Sequence, residues 1–357
     1  MIEESSVIFK FDELKETARK LAKSQRVTED TKPLRLVKKD LNEAKKILTE
    51  AYKVFAGAVK KSEDISAAAE WLIDNFYIIQ EQFVQIENDF PVKYQKSLPR
   101  LKDGPYQGLP RVYELVFNII TNNDNVINLS FLREYIQCYQ EVESLRIGEI
   151  WAIPIVVRLI LIEQLAEKAA VVLKRKKLRP EIRDFINEIH EAEDPEPGEV
   201  VGKLISWFKD KSKSSREQLY LVELLSQLQT SGLLKSDEKR WFEYKFRKYG
   251  LTVEEALRFE AQTKSRQQIS VQNAVQSLRK ISDYDWTEFV ENCSMVDRML
   301  RLDPLGVYPD MDFQTRDVYR KTIERISRNT GKSEIAVTEE VLIKADNAYD
   351  GTVTDLS

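Results

Sequence analysis

Aspartates two residues apart are the first feature with chemical potential. Asp283 and Asp285 form one D-x-D triplet, and Asp310 and Asp312 form a second. In sugar-nucleotide transferases such a pair holds the metal on a diphosphate, because hard oxygen donors suit a divalent cation. That use calls for a strand leading into a nucleotide pocket, and neither triplet follows one. Asp285 and Asp312 also stand where helix N-caps belong, which is a sufficient role for both. A carboxylate pair for glycoside chemistry is the second option. Glu149 beside Trp151, with Asp74 on another aromatic helix, is the candidate set. Against it stands ion pairing of these acids with Arg158 or Arg111 at helix edges. Lys239-Arg240-Trp241 looks like the end of a Q-x-x-R-W element of processive transferases, but Asp237 occupies the glutamine position.

Other chemistry is short of residues. His190 is the single histidine, and Cys138 and Cys293 are isolated. No Cys/His spacing suits zinc, and no Ser-His-Asp or Cys-His set can be assembled. His190 is expected at the surface near a helix end. Neither G-x-x-x-x-G-K-[ST] nor G-x-G-x-x-G occurs, so no phosphate loop is present. No metal and no cofactor is therefore expected. A net charge of −4 argues against a nucleic-acid-binding surface, which would be basic overall. Among the aromatics, Trp71, Tyr77, Tyr106, Tyr113, Trp151, Trp207, Trp241 and Trp286 could stack on sugar faces, although helical spacing reads first as core. Tyr106 and Tyr308 are the exceptions, because both fall in loop sequence.

The elements that must position these residues are helices. Gly and Pro number 11 each in 357 residues, and charged residues make up 32%, against a usual level of about 25%. Few breakers and many charges favour long amphipathic helices. Val7–Phe11 reads as either a short strand or a hydrophobic staple. Trp71, Leu72, Asn75, Phe76, Ile79, Phe83 and Ile86 mark one face of a helix that runs from near Ile65 to about Asp89, where Pro91 ends it. Phe90–Pro110 is the longest clear loop, and a breaker-rich loop of that kind is often functional. Helices follow at Arg111–Thr121, Asn128–Val142, Gly148–Lys177 and Pro180–His190. Val200–Phe208 and Ser215–Gln229 are the next two. Ser236 is placed to open a helix, with Gly250 closing it. Thr252 with Glu255 forms a capping box, Asp285 and Asp312 cap two more helices, and Ser333 starts the last. Ile150–Leu165 is the longest apolar run. It holds Arg158 and Glu163 and falls short of the ~20 residues a membrane span needs, so a buried core helix in a soluble chain is expected. The acidic N-terminus does not read as a signal peptide.

The organisation expected is all-α: a multi-helix array of antiparallel helix hairpins in two lobes. Residues 1–62 form a charged helical extension, 63–192 the first lobe, 199–348 the second, and 349–357 a frayed tail. The acidic, breaker-rich stretch Glu191–Glu199 is the linker, so the lobes divide near Glu191–Gly198.

Three blocks resemble the cyclic β-1,2-glucan synthases of bacteria, in particular their N-terminal soluble region. The first is A-E-W-L-I-D-N-F-Y-I-I-Q-E-Q at Ala69–Gln82, with L-P-R-L at Leu98–Leu101 and L-P-R-V-Y at Leu109–Tyr113. The second is Tyr139–Leu165. The third runs from Gln268 through S-V-Q-N-A-V-Q-S-L-R to Arg328, including D-W-T-E-F-V-E-N-C-S-M-V-D-R at Asp285–Arg298. The resemblance implies a very large inner-membrane parent carrying a UDP-glucose-dependent transferase and a phosphorylase-like domain. This chain has neither, nor a transmembrane helix, so it is expected to be a fragment or a single domain of such a parent. It is then the module on the cytoplasmic side of the inner membrane, non-catalytic in itself, while the parent is a β-1,2-glucosyltransferase. Its implied partners are the downstream transferase and membrane domains of the same polypeptide, with the nascent glucan a further candidate. Trp71, Asn75, Tyr106, Arg111, Tyr113, Glu149, Trp151, Arg158 and Tyr308 are the candidate interface or pocket residues. Two other classes compete: a stand-alone helical carbohydrate-active enzyme built on a carboxylate pair, and a helical protein-binding adaptor.

Overall fold

Regular apolar spacing with few breakers folds as helix along nearly the whole chain. The computed structural model describes residues 2–29, 35–190, 198–211 and 217–354. Within them the order begins with α1 (Ile2–Ser24), β1 (Val27–Thr28), α2 (Val37–Lys60), α3 (Ala67–Asp74), α4 (Phe76–Asp89), α5 (Val92–Ser97) and β2 (Arg100–Leu101). It continues with α6 (Arg111–Asn122), α7 (Leu129–Gln140), α8 (Ile147–His190), α9 (Glu199–Lys211), α10 (Glu217–Thr230), α11 (Ser236–Arg247) and α12 (Val253–Ser282). The last are α13 (Trp286–Cys293), α14 (Met295–Leu300), α15 (Val307–Asp310), α16 (Phe313–Thr330) and α17 (Glu334–Thr354). The fold is all-α. Val27 pairs with Leu101 and Thr28 with Arg100 in a two-residue antiparallel ladder, the single sheet among the described residues.

The chain divides into two compact units, and the division differs from the one expected near Glu191–Gly198. One unit takes Met1–Asn42, Ile78–Glu163 and Gln276–Ser357; the other takes Glu43–Tyr77 and Gln164–Val275. Most of the expected linker, 191–197, lies outside the described residues, as does the His190 side chain.

In the first unit α1 packs on α6 and α7, α13 on α7, and α17 on α14 and α16. The early part of α8 is buried around its circumference. Ile150, Ala152, Ile153, Val156, Val157, Leu159, Ile160, Leu161 and Ile162 are all at most 1% exposed, as a helix that is apolar on every side requires. No helix among the described residues is long and apolar enough to cross a membrane. A smaller cluster joins Ile147, Val296, Leu300, Tyr308, Ile323 and Val337. In the second unit one core cluster draws Phe185, Leu204, Phe208, Leu224, Phe242 and Phe246 together.

Five local expectations are corrected. Val7–Phe11 is neither strand nor staple but part of α1. The helix expected through Trp71 and Ile86 is two: Asn75 ends α3, and its side-chain amide donates to the Trp71 carbonyl at 2.8 Å. An asparagine that bonds the backbone this way competes with helix continuation. Phe90–Pro110 is not an open loop. It holds α5 and β2, and Leu101 and Leu109 are tied across it by Leu101 N–H to Leu109 O at 2.9 Å. Gly148–Lys177 and Pro180–His190 are one helix, α8, in which Pro180 is an exposed interior residue. The helix α17 also continues to Thr354, into the tail expected to be frayed.

The capping chemistry is as read at Thr252, Asp285 and Asp312, whereas Lys235 rather than Ser236 is the N-cap of α11. Thr252 N–H donates to Glu255 Oε2 at 2.9 Å, and Glu255 N–H to Thr252 Oγ1 at 3.2 Å. Asp285 accepts from Thr287 N–H and Asp312 from Thr315 N–H, each at 2.9 Å. Gly331 closes α16 in the left-handed region at φ 71°, where an L side chain would be strained.

Candidate functional site

The candidate residues are best judged by what already occupies them. Pro110 is the N-cap of α6, which sets Arg111 at the head of that helix and points it into the protein. Glu149 sits in the first turn of α8, where a carboxylate is favoured by the helix dipole. The two form a bidentate pair: Arg111 Nε donates to Glu149 Oε1 at 2.7 Å and Nη2 to Oε2 at 2.8 Å. Nη2 also donates to the Ser144 carbonyl at 2.7 Å, and Arg146 N–H donates to Glu149 Oε2 at 2.9 Å. Arg111 is 4% exposed and Glu149 fully buried. Burial works against the Arg111 charge, but the bonds and charge of Glu149 outweigh it and raise the guanidinium pKa above its usual value. Both oxygens of Glu149 are committed. It is a structural anchor between α6 and α8, and losing one member of such a buried pair costs roughly 3–5 kcal/mol. The proposed carboxylate set with Asp74 thereby loses its central acid.

Tyr106 and Tyr113 do come together. Their rings lie 5.4 Å apart, and Tyr106 lies 5.1 Å from Phe117. Tyr113 O–H donates to Glu163 Oε2 at 2.5 Å. Burial pushes the Glu163 carboxyl up to about 7, with Asp40 raising it further and Tyr113 and Arg35 opposing the shift. Its other oxygen is buried without a hydrogen-bond partner among the described residues. Glu163 had looked like an ordinary interruption of an apolar run.

Tyr308 is not a loop aromatic. It is 3% exposed within α15, and its O–H donates to Asp297 Oδ1 at 2.8 Å. Asp297 also takes Arg320 Nη1 at 2.7 Å and Arg301 Nε at 2.7 Å, while Glu291 takes Arg316 and Arg320. This ion-pair cluster ties α13, α14, α15 and α16 together. Trp151 is half-buried, edge-on to Phe313 at 6.3 Å. Arg158 is half-buried too; burial lowers its pKa, and it donates to the carbonyls of Pro154 at 3.2 Å and Ile281 at 3.5 Å. Trp71 and Asn75 belong to the other unit and serve the end of α3. The nine candidates are therefore distributed over several structural clusters.

A different place gathers the chemistry. A cavity of about 170 Å³ opens at the start of α8 and is lined by Leu98, Pro99, Arg146, Gly148, Arg328 and Lys332, with Glu29, Glu324 and Glu334 among the rest. Arg328 pairs with Glu324 at 2.5 Å, and Arg146 pairs with Glu29. Glu334 is 6% exposed; one oxygen accepts from Ile147 N–H at 2.8 Å, and its other oxygen takes no hydrogen bond among the described residues. Burial raises its carboxyl to about 7, Glu324 adds to the shift, and the Ile147 amide and Arg146 oppose it. A Cβ at Gly148 would stand 3.4 Å from Glu324 Oε1 and 3.6 Å from Leu98 Cδ2, at ordinary contact distance. Tyr94 O–H donates to the Gly148 carbonyl at 2.7 Å and fixes that backbone. Glu334 and Ile147 are 187 positions apart, so no local pattern announces this site.

No known family model matches the chain. It is 28% identical over 293 residues to the cyclic beta-(1,2)-glucan synthase NdvB of Rhizobium meliloti (strain 1021), a match covering 82% of this chain. The chain is related to that synthase. It spans a small part of it, since the match covers 10% of the synthase. The cavity draws on separated parts of the chain. Each of the three synthase-like blocks reaches it: Leu98 and Pro99 from the first, Arg146 and Gly148 from the second, Glu324 and Arg328 from the third.

Proposed function

We propose that this chain is a non-catalytic helical module of a cyclic β-1,2-glucan synthase, and that it supports UDP-glucose-dependent synthesis by positioning the transferase and its product. The relation to a named synthase over 82% of the chain is the observation that carries this reading. Two geometric facts support the non-catalytic part. Glu149 is spent on Arg111, and the second aspartate of each D-x-D triplet caps a helix. For docking, a run of exposed apolar residues stands around α15 and α16, with Leu302 73% and Val318 63% exposed. In this reading the partners are the transferase and membrane domains of the same polypeptide, and the module works on the cytoplasmic side of the inner membrane.

The test is removal of the corresponding segment from the full-length synthase. Reduced glucan yield, impaired assembly or altered product size is expected. Unchanged yield, assembly and product size together would end the reading. Incubating the isolated chain with UDP-glucose addresses the alternative of a stand-alone carbohydrate-active enzyme: glucan formed by the chain alone would overturn the non-catalytic assignment.

A further inference from the structure

We infer that the cavity at the start of α8 is a saccharide site that holds one glucosyl unit at an end or turn of a β-1,2-linked glucan. The inference rests on the function proposed above for its choice of sugar, and on the cavity's own chemistry for the class of ligand.

Three cationic side chains, Arg146, Arg328 and Lys332, face three acids, Glu29, Glu324 and Glu334. Arg328 is neutralised by Glu324, Arg146 by Glu29, and Lys332 by Glu340 outside the lining. A phosphate or nucleotide diphosphate would meet three carboxylates, and a metal ion would meet three cations. A neutral polyol suits the balance, because each hydroxyl both donates and accepts. Guanidinium N–H groups and carboxylate oxygens side by side are the partners that a vicinal diol needs. Leu98 and Pro99 add an apolar wall, which matches the C–H face of a pyranose ring. A concave site with an apolar wall and a few convergent polar groups is the usual form of a small-ligand pocket.

Glu334 adds an acceptor to the lining. It is 6% exposed and lines the cavity with one oxygen unbonded among the described residues. That oxygen is an acceptor that a sugar hydroxyl can reach. The size is right for one ring rather than for a whole chain: about 170 Å³ is several times the ~30 Å³ that one water takes.

The experiment is calorimetric titration of this chain with linear β-1,2-gluco-oligosaccharides, with cyclic β-1,2-glucan and with UDP-glucose. Saturable binding of the glucans is expected. Arg328→Gln and Glu334→Gln should each weaken it by about tenfold, the equivalent of ~1.4 kcal/mol. Arg328 is a surface pair member, so its variant is expected to keep the parent's unfolding midpoint, and an amide shift at Gly148 on titration should localise the site. Absence of saturable glucan binding overturns the proposal. So does binding unchanged by both variants, or preference for UDP-glucose over glucan. The two readings fail separately. Glucan bound at Gly148 by a chain whose deletion leaves synthesis intact removes the synthase role and keeps the site. A deletion phenotype without glucan binding keeps the role and removes the site.

Discussion

Glu163 shows what a buried acid does when its partner is a phenol rather than a cation. Arg111 satisfies Glu149 completely, whereas Tyr113 gives Glu163 one hydrogen bond and leaves the other oxygen unpaired. Its carboxyl is raised to about 7, against 4.5 in the unfolded chain, chiefly by burial. The folded state then holds a proton through the window from about 4.5 to 7 that the unfolded state has released. Stability contributed by this group is complete below that window and is lost as pH rises through the folded value. A shift of this size is worth about 3 kcal/mol at the limit. Glu334 is raised in the same direction, so the chain carries two such groups. We expect urea stability to fall between pH 5 and pH 8, and Glu163→Gln to flatten that fall while still accepting the Tyr113 O–H. Parallel pH profiles for the variant and the parent chain would show that Glu163 does not carry the dependence.

At the scale of elements, α8 is the clearest case of packing overriding a breaker. Pro180 lacks the N–H that would meet the Lys176 carbonyl, yet the helix runs on to His190. Leu178, Ile182, Phe185, Ile186 and Ile189 are buried on one face across the proline, and that burial holds the helix together. Because Pro180 itself is exposed, Pro180→Ala restores a backbone bond without touching the core. The expected gain is on the order of 1–3 kcal/mol, read as a higher urea midpoint; a loss of stability would mean that the proline bends α8 to a shape its neighbours need. Caps were legible in the sequence because they are local: Thr252 with Glu255, Asp285 and Asp312 each act within three residues. The break at Asn75 was not, because its spacing fits the apolar stripe while its side-chain bond to Trp71 marks the end of the helix. The cavity was least legible of all. Its lining comes from four separated segments, and what joins them is a contact such as Glu334 with Ile147.

The two compact units explain why a reading by consecutive lobes could not place the division. A contiguous cut near residue 191 separates 164–190 from 199–275, and it separates 78–163 from 276–357, so it runs through both units. The dependence is unequal, however. One core cluster lies entirely between Leu178 and Ala256, although Leu48, Ala51, Phe55 and Leu72 of the second unit are buried outside it. The first unit is held by bonds of long range: Ile127 N–H to Ser277 Oγ at 2.9 Å, Gln140 Nε2 to the Cys293 carbonyl at 2.8 Å, and Ile147 N–H to Glu334 at 2.8 Å. A segment that contains its own core can fold alone, and one whose buried polar groups are satisfied from elsewhere cannot. Residues 164–275 expressed alone should therefore be helical and unfold cooperatively, though less stably than in the chain. They would lack pairs such as Lys176 with Glu63 at 2.8 Å and Lys177 with Glu50 at 2.6 Å. Residues 78–163 alone should show no cooperative transition and should recover one when 276–357 is supplied in trans. Circular dichroism melts of the three fragments, singly and mixed, decide it. A cooperative melt for 78–163 alone, or none for 164–275, would refute this assignment of where each core resides.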